Sequence, residues 1–356
     1  MSRFETLTDF IRQTEAQFRI FDMGRCIDKL SVDNFRKVEM GQIPYPKPFL
    51  HQAWIAVLMW NPKQTQENVV WFLKLPLDEQ GFLVQAARDD FLNRLLQNLT
   101  NSQGKAPLDQ PEDATEYRDA LKDNPFSFTP DQEKMAAFHA TATVTTRQPA
   151  SSFYSPAQQY FQRGNDLQHW DQLGYQGIAD FVIRHQDDNN EANLAAVFND
   201  LPDTPLEAAC TFLEHIHPGN ELSAAILQKL EQVTDAGEVS ANQIGALLRA
   251  VSQCPDDQQK VTVLKQVLSS KYGTEAEVIA ALASRCWACL QYPDLLQPFL
   301  ETLAVNQAGQ ECFNRVMADL MFIPTLRALT LQQFRSPERS EALSKAIGSM
   351  FGDGFL

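Results

Sequence analysis

The stretch SANQIGALLRAVSQCPDDQQKVTVLKQVLS (residues 240–269) decides how the second half of the chain folds. It contains two stripes of apolar residues at helical spacing. Each stripe follows a residue that favours a helix N-terminus, Ser240 for the first and Asp256 for the second. The stripes consist of Ile244, Leu247, Leu248 and Val251, and of Val261, Leu264, Val267 and Leu268. The stretch therefore predicts two consecutive helices that each need a neighbour to cover one side.

Similar helix-start signals recur along the chain in both directions from this stretch. Alternate signals lie 31 to 38 residues apart, and no convincing strand pattern occurs after His169. The signals are Thr204-Pro205, Asn220, Ser240, Asp256, Thr274, Asp294, Gln307 and Thr325. Because single helices of this length cannot bury an apolar stripe alone, we expect helix pairs that stack on one another. The sequence predicts an all-α array of helical hairpins over residues 129–356, similar in outline to an irregular HEAT-like solenoid.

Residues 1–100 have a different pattern, in which helical and alternating periodicities succeed each other. Apolar residues on both sides of Gly24 predict a hairpin of two strands. Residues 53–60 and 69–75 are nearly continuous apolar runs, typical of strands buried on both faces. Helices are expected at 4–15, 33–40 and 82–99. The pattern predicts a small α+β domain with a four-stranded, mainly antiparallel sheet.

Between these regions the composition changes. Residues 101–133 contain eight acidic and three basic residues, four prolines and few apolar side chains. Such a composition provides little apolar surface for packing. We therefore place an acidic, proline-containing linker at 101–128, and its degree of order is left open.

Overall composition excludes several classes of protein. With 356 residues, a prior of about 150 residues per domain gives two domains or slightly more. The formal net charge of −15 makes non-specific binding of nucleic acid improbable, because the field of the protein repels phosphate. No apolar run approaches the length of a membrane span, and the N-terminal residues lack the order of a signal peptide. Since six cysteines are too few for a disulfide scaffold, we expect a cytoplasmic protein with reduced thiols.

Cys286 and Cys289 form the sharpest local motif, C-W-A-C. A redox pair needs a helix N-terminus to lower a thiol pKa, but this motif lies near the C-terminal end of a predicted helix. Zinc would need two further ligands. Buried structural cysteines are the favoured interpretation, with redox or metal chemistry as the alternative.

His215 and His217 are a second candidate for metal binding. Two residues apart on a helix, their rings point in widely different directions. Because Pro218-Gly219 follows directly, the favoured interpretation is a helix C-terminus at which histidine interacts well with the dipole.

An aromatic passage at Phe153, Tyr154, Tyr160 and Phe161 has two interpretations. The favoured one is packing within the second domain, and the other is an exposed strip that contacts a partner. Phosphate-loop, dinucleotide-binding, hydrolase-elbow and zinc-protease motifs are absent from the sequence. We therefore nominate no catalytic residue, no bound metal and no cofactor.

Three short motifs carry a resemblance to a known family. They are Phe18-Arg19-Ile20-Phe21-Asp22-Met23-Gly24-Arg25, Pro44-Tyr45-Pro46 and Asn124-Pro125-Phe126. With this layout the chain resembles, over nearly its full length, a gammaproteobacterial family known as a domain of unknown function. The resemblance implies a bacterial protein and supplies no activity or site.

The sequence leads to two hypotheses of function. The first is a non-enzymatic scaffold or adaptor, in which the helical array binds a protein partner with a basic contact face. The second is an enzyme or small-ligand binder that uses a cleft between the α+β and helical domains.

Overall fold

A computed structural model describes residues 4–14, 16–61, 64–103, 121 and 124–352. The chain divides into two compact units, Met1–Pro149 and Ala150–Leu356. The predicted arrangement of an α+β region followed by an all-α region is confirmed. Within the described residues, no helix is both long and apolar enough to cross a bilayer.

The N-terminal unit is built on a four-stranded antiparallel sheet in the order β2-β1-β3-β4. The predicted hairpin around Gly24 forms, since the strands before and after it pair directly. Phe21 pairs with Ala56, which in turn pairs with Phe72, so the three residues share one rung. The strands are β1 (Gln17–Asp22), β2 (Asp28–Leu30), β3 (Gln52–Asn61) and β4 (Gln64–Pro76).

The central strand β3 is buried at seven of its ten positions, six of them consecutive, as its unbroken apolar sequence predicts. The described residues of this unit contain four helices: α1 (Leu7–Arg12), α2 (Val32–Glu39), α3 (Gln85–Gln103) and α4 (Gln132–Thr145). Phe138 of α4 lies edge-on against Phe21 and Phe72, with ring centroids 5.6 and 5.1 Å apart. One face of the sheet is therefore covered by α4.

The position of α4 bears on the division of the chain. The sequence places the start of the helical domain at residue 129, before α4, whereas the compact units divide between Pro149 and Ala150. The aromatic contacts of Phe138 explain the difference, because they join α4 to the sheet. The central part of the predicted linker, residues 104–120 and 122–123, lies outside the described residues.

The C-terminal unit consists of helices and two short 3₁₀ segments in its described part. The eight helices from residue 203 to residue 334 begin within two residues of the predicted start signals. They are α5 (Tyr154–Tyr160), α6 (Tyr175–Ile183), α7 (Asn190–Val197), α8 (Asp203–Leu213), α9 (Asn220–Ala236), α10 (Ala241–Val251), α11 (Asp257–Ser269), α12 (Ala276–Arg285), α13 (Pro293–Ala304), α14 (Gly309–Leu320), α15 (Pro324–Phe334) and α16 (Glu341–Phe351).

Local capping chemistry explains where the central helices begin. The Ser240 hydroxyl accepts a hydrogen bond from the backbone N–H of Gln243 at 3.2 Å. The Asp256 carboxylate accepts one from the N–H of Gln259 at 3.0 Å. Each cap satisfies a backbone donor that the first turn of a helix leaves without a partner.

Helices of the C-terminal unit stack in two rows. Alternate helices contact one another, α6, α8, α10, α12 and α14 in the first row and α7, α9, α11 and α13 in the second. Contacts between α9 and α10 and between α13 and α14 join the rows. The apolar stripes lie inside, and Leu247, Leu248 and Leu264 are fully buried. Each helix pair therefore finds the cover for its apolar side on the pairs before and after it.

Candidate functional site

The acidic side chain of Glu214 is completely buried in the first row of helices, as is that of Asp180 on α6. Glu214 is the C-cap residue of α8, and its carboxylate is 1% exposed. Arg249, in the last turn of α10, donates from Nε to Oε2 at 2.8 Å and from Nη2 to Oε1 at 3.2 Å. This is the two-point contact that a guanidinium and a carboxylate make at their strongest.

A second arginine reaches the same carboxylate. Arg285, the last residue of α12, places Nε 2.7 Å from Oε2 of Glu214. His215 lies beside them, with Nε2 3.6 Å from Oε1. Arg249, Glu214 and Arg285 are called the Arg–Glu–Arg cluster below. Its two arginine side chains are 24% and 19% exposed, so the cluster extends from the interior to the surface.

The repeat of the fold brings these residues together. Glu214, Arg249 and Arg285 lie 35 and 36 residues apart in the chain, which equals the length of one helix pair. All three are at the C-terminal ends of α8, α10 and α12, which follow one another in the first row. Equivalent positions of three successive pairs therefore converge on one point.

Electrostatics keep Glu214 ionised. Burial by itself would raise its pKa, because a low-dielectric interior disfavours charge. The positive charges of Arg285 and His215, with the hydrogen bond and charge of Arg249, outweigh burial and lower the pKa of Glu214 to about 2. The cluster thus holds a permanent carboxylate between two permanent guanidiniums.

The cluster has more donors than Glu214 uses. Arg285 contacts Glu214 through Nε, and its Nη1 and Nη2 make no hydrogen bond to the described residues. A guanidinium carries five N–H donors in a planar fork. The surface end of the cluster can therefore bind an anion as well as join three helix pairs.

The family motifs of the N-terminal unit build a second polar cluster. Asp22 is fully buried, and its carboxyl accepts hydrogen bonds from the Tyr45 hydroxyl at 2.5 Å and from the N–H of Gly24 at 3.2 Å. The Lys134 ammonium of α4 donates to the carbonyls of Met23 and Gly24 at 2.9 and 2.6 Å. Burial raises the pKa of Asp22 to about 7. These contacts fix the turn between β1 and β2.

The third motif ends in a local turn. Asn124 Oδ1 accepts from the N–H of Phe126 at 3.0 Å, and the Phe126 ring lies edge-on to Phe91 of α3 at 6.2 Å. The motifs that carry the resemblance therefore hold the N-terminal unit together. Comparison with known families agrees with this layout. The profile of a family described as a protein of unknown function (DUF3549) matches residues 2–351.

The chain belongs to DUF3549. This confirms the resemblance to a domain of unknown function over nearly the whole length. No curated protein and no solved structure matches the chain.

The structure places Cys286 at the C-cap of α12 and Cys289 in the 3₁₀ segment that follows, both buried. Burial raises the pKa of both thiols, that of Cys286 furthest. A raised pKa disfavours the thiolate that redox chemistry and metal binding need. Within the part of the chain that the structure describes, no three His, Cys, Asp or Glu side chains are grouped to hold a metal ion.

His215 and His217 lie in different environments. The side chain of His215 is 1% exposed and lies against Glu214, whereas His217 is exposed. His215 and His217 follow the end of α8, where the dipole favours positive charge.

Of the four aromatic residues, Phe153 is 52% exposed and Tyr154 is half-buried. Tyr160 and Phe161 are buried, and the Phe161 ring stacks on Phe181 at 4.5 Å. The hydroxyl of Tyr154 accepts a hydrogen bond from Asn190 Nδ2 at 2.8 Å. All four side chains thus have internal contacts, since the Phe153 ring lies against Gly174, and Phe153 has the largest exposed fraction of the four.

The sequence pattern singled out His215 but not Glu214, Arg249 or Arg285. The signal that could have found them is their spacing, since residues one repeat apart occupy equivalent places in stacked helix pairs. A charged residue at the end of alternate helices, repeated at 35 and 36 residues, is such a signal.

Proposed function

We propose that the C-terminal unit is a scaffold or adaptor that binds a protein partner, with the architecture of an irregular HEAT-like solenoid. The observation that supports this most is the serial stacking of helices in two rows. In such an array each pair contacts its neighbours in the stack, and the outer side of each row forms an extended surface. Extended surfaces of this kind suit the binding of protein segments.

Charge indicates what kind of partner fits. Residues 150–356 contain 25 acidic and 13 basic residues, a net charge of −12, against −15 for the whole chain. The N-terminal unit contributes 20 acidic and 17 basic residues, a net charge of −3. A partner with a basic face is attracted to such a surface, and added salt weakens the attraction.

Affinity capture with the full chain tests the proposal. We expect a protein to be retained in a stoichiometric amount from extract of the source cells at low salt, and released as salt is raised. A variant with Asp235→Asn in the last turn of α9 and Glu238→Gln just after it, both exposed, should retain it less strongly. Glu5→Gln with Asp33→Asn removes the same charge from the N-terminal unit and serves as the control.

Two results would count against the scaffold. One is the absence of any stoichiometric protein at low salt, and the other is equal retention by both pairs of variants. The alternative of an enzyme or small-ligand binder with a cleft between the domains stays a prediction, which substrate or metabolite binding to the full chain would favour.

A further inference from the structure

The Arg–Glu–Arg cluster is a positive site on a negative unit. Two guanidiniums face a single carboxylate, so the cluster has an excess of at least one positive charge, whereas residues 150–356 carry −12 overall. A buried carboxylate needs opposite charge and hydrogen bonds to replace the hydration that it loses. Arg249 already gives Glu214 a two-point contact, so the second arginine exceeds what one carboxylate requires.

The geometry leaves the outer end of Arg285 available. Its Nε lies 2.7 Å from Glu214, which holds the guanidinium by one edge. Its Nη1 and Nη2 make no hydrogen bond to any residue that the structure describes, and 19% of the side chain is exposed. Because Glu214 and the packing of α12 restrain the side chain, little conformational entropy remains to be lost on binding.

The ligand that fits is a carboxylate. Two parallel N–H groups match the two oxygens of a carboxylate or a phosphate. In a protein partner, the group with this geometry is the carboxylate of an acidic side chain or of the chain terminus. We propose that the Arg–Glu–Arg cluster binds the carboxylate of a protein segment, an acidic side chain or a chain terminus.

This inference deepens the proposed function, since it rests on a protein partner to supply the group. The two electrostatic interactions act at different distances. The negative field of the unit attracts a basic surface from a distance, and the cluster selects one carboxylate within that surface on contact.

Titration with sodium acetate tests the site without any partner. Side-chain ¹H–¹⁵N NMR signals of the arginines are followed in the full chain, with sodium chloride at equal ionic strength as the reference. We expect the Arg285 signals to shift saturably with acetate and to stay in place with chloride. Sodium phosphate is the second probe, and we expect it to bind more weakly than acetate.

Variants separate binding from folding. Arg285→Lys keeps the charge beside Glu214 but loses the fork, and we expect it to weaken acetate binding at least about tenfold. Arg285→Gln should abolish the saturable response of the cluster, followed at Arg249. Arg315→Gln is the control. It replaces an exposed arginine on α14, in the same row of helices, and should leave acetate binding unchanged.

Three outcomes would overturn the inference: no saturable shift of Arg285 beyond that with chloride, tighter binding of phosphate than of acetate, or an equal loss in Arg315→Gln. If Arg285→Gln fails to fold, the natural protein and Arg285→Lys still decide the matter. Acetate binding without a captured partner would support the carboxylate site and contradict the scaffold. A captured partner without acetate binding would support the scaffold and contradict the carboxylate site.

Discussion

Glu214 shows how much one buried charge depends on its neighbours. A carboxylate removed from water is stabilised only when hydrogen bonds and opposite charges replace the lost hydration. Arg249 and Arg285 do this from two other helices, at 2.8 and 2.7 Å. The stability of the C-terminal unit therefore depends on the ionised form of this residue.

Glu214→Gln tests that dependence. We expect the free energy of unfolding at pH 7 to fall by about 3 kcal/mol, the lower end for a broken buried pair, because both arginines are partly exposed. The pKa of Glu214 is lowered to about 2 in the folded protein. Its stabilisation is therefore present above the unfolded pKa of about 4.3 and lost as pH falls towards 2.

The measurement is denaturant unfolding of the natural protein and the variant between pH 7 and pH 3. The difference between them should narrow as the solution is acidified. Glu231→Gln, on α9 and without a charged partner among the described residues, is the control. A difference that is absent at pH 7, or that grows on acidification, would contradict the stabilising role.

At the scale of elements, capping signals are local and contacts between helices are not. Ser240 and Asp256 bond to N–H groups three residues further on, so the sequence alone predicts where α10 and α11 begin. The close approach of α5 and α6 has no such signal. A Cβ at Gly177 would lie 2.3 Å from the carbonyl oxygen of Phe153, and only the packed structure shows this.

Gly177→Ala should destabilise the C-terminal unit by about 1–3 kcal/mol, because backbone atoms of Phe153 must move to make room. Gly245→Ala on α10 is the matched control. There the new Cβ would meet the Glu277 carbonyl at 3.7 Å, an ordinary contact, and alanine in a helix should add up to about 1 kcal/mol. Thermal unfolding of both variants checks the prediction, and equal effects of the same sign would contradict it.

At the scale of the whole molecule, the two units carry buried carboxyls of opposite character. In the N-terminal unit, burial raises the pKa of both Asp22 and Glu39 to about 7. Glu39 accepts hydrogen bonds from the N–H groups of Leu7 and Thr8 at 2.7 and 3.2 Å. A raised pKa means that the folded unit holds protons that the unfolded chain has released.

We therefore expect two unfolding transitions that respond to pH in opposite ways. The stabilisation from Asp22 and Glu39 is present below the unfolded pKa values of about 4 and is lost as pH rises to about 7. That from Glu214 is lost as pH falls below about 4.3. Differential scanning calorimetry of the full chain between pH 3.5 and 7.5 measures both.

Asp22→Asn assigns the transitions, because it should flatten the pH dependence of the N-terminal one and leave the other unchanged. A single transition, or two transitions that shift in the same direction with pH, would contradict the opposite pH dependences expected from the buried carboxyls of the two units.

The sequence by itself determined the class and order of the elements: the hairpin around Gly24, the buried central strand β3, and the succession of helices after residue 200. It could do so because periodicity and capping involve residues close together in the chain. The prediction that residues 69–75 are buried on both faces is wrong, because β4 lies at the edge of the sheet and its buried residues alternate with half-buried ones. The tertiary structure alone decided that α4 packs on the sheet and that Arg249 and Arg285 meet at Glu214. These contacts join residues from 35 to more than 70 positions apart, and burial makes their charges depend on one another.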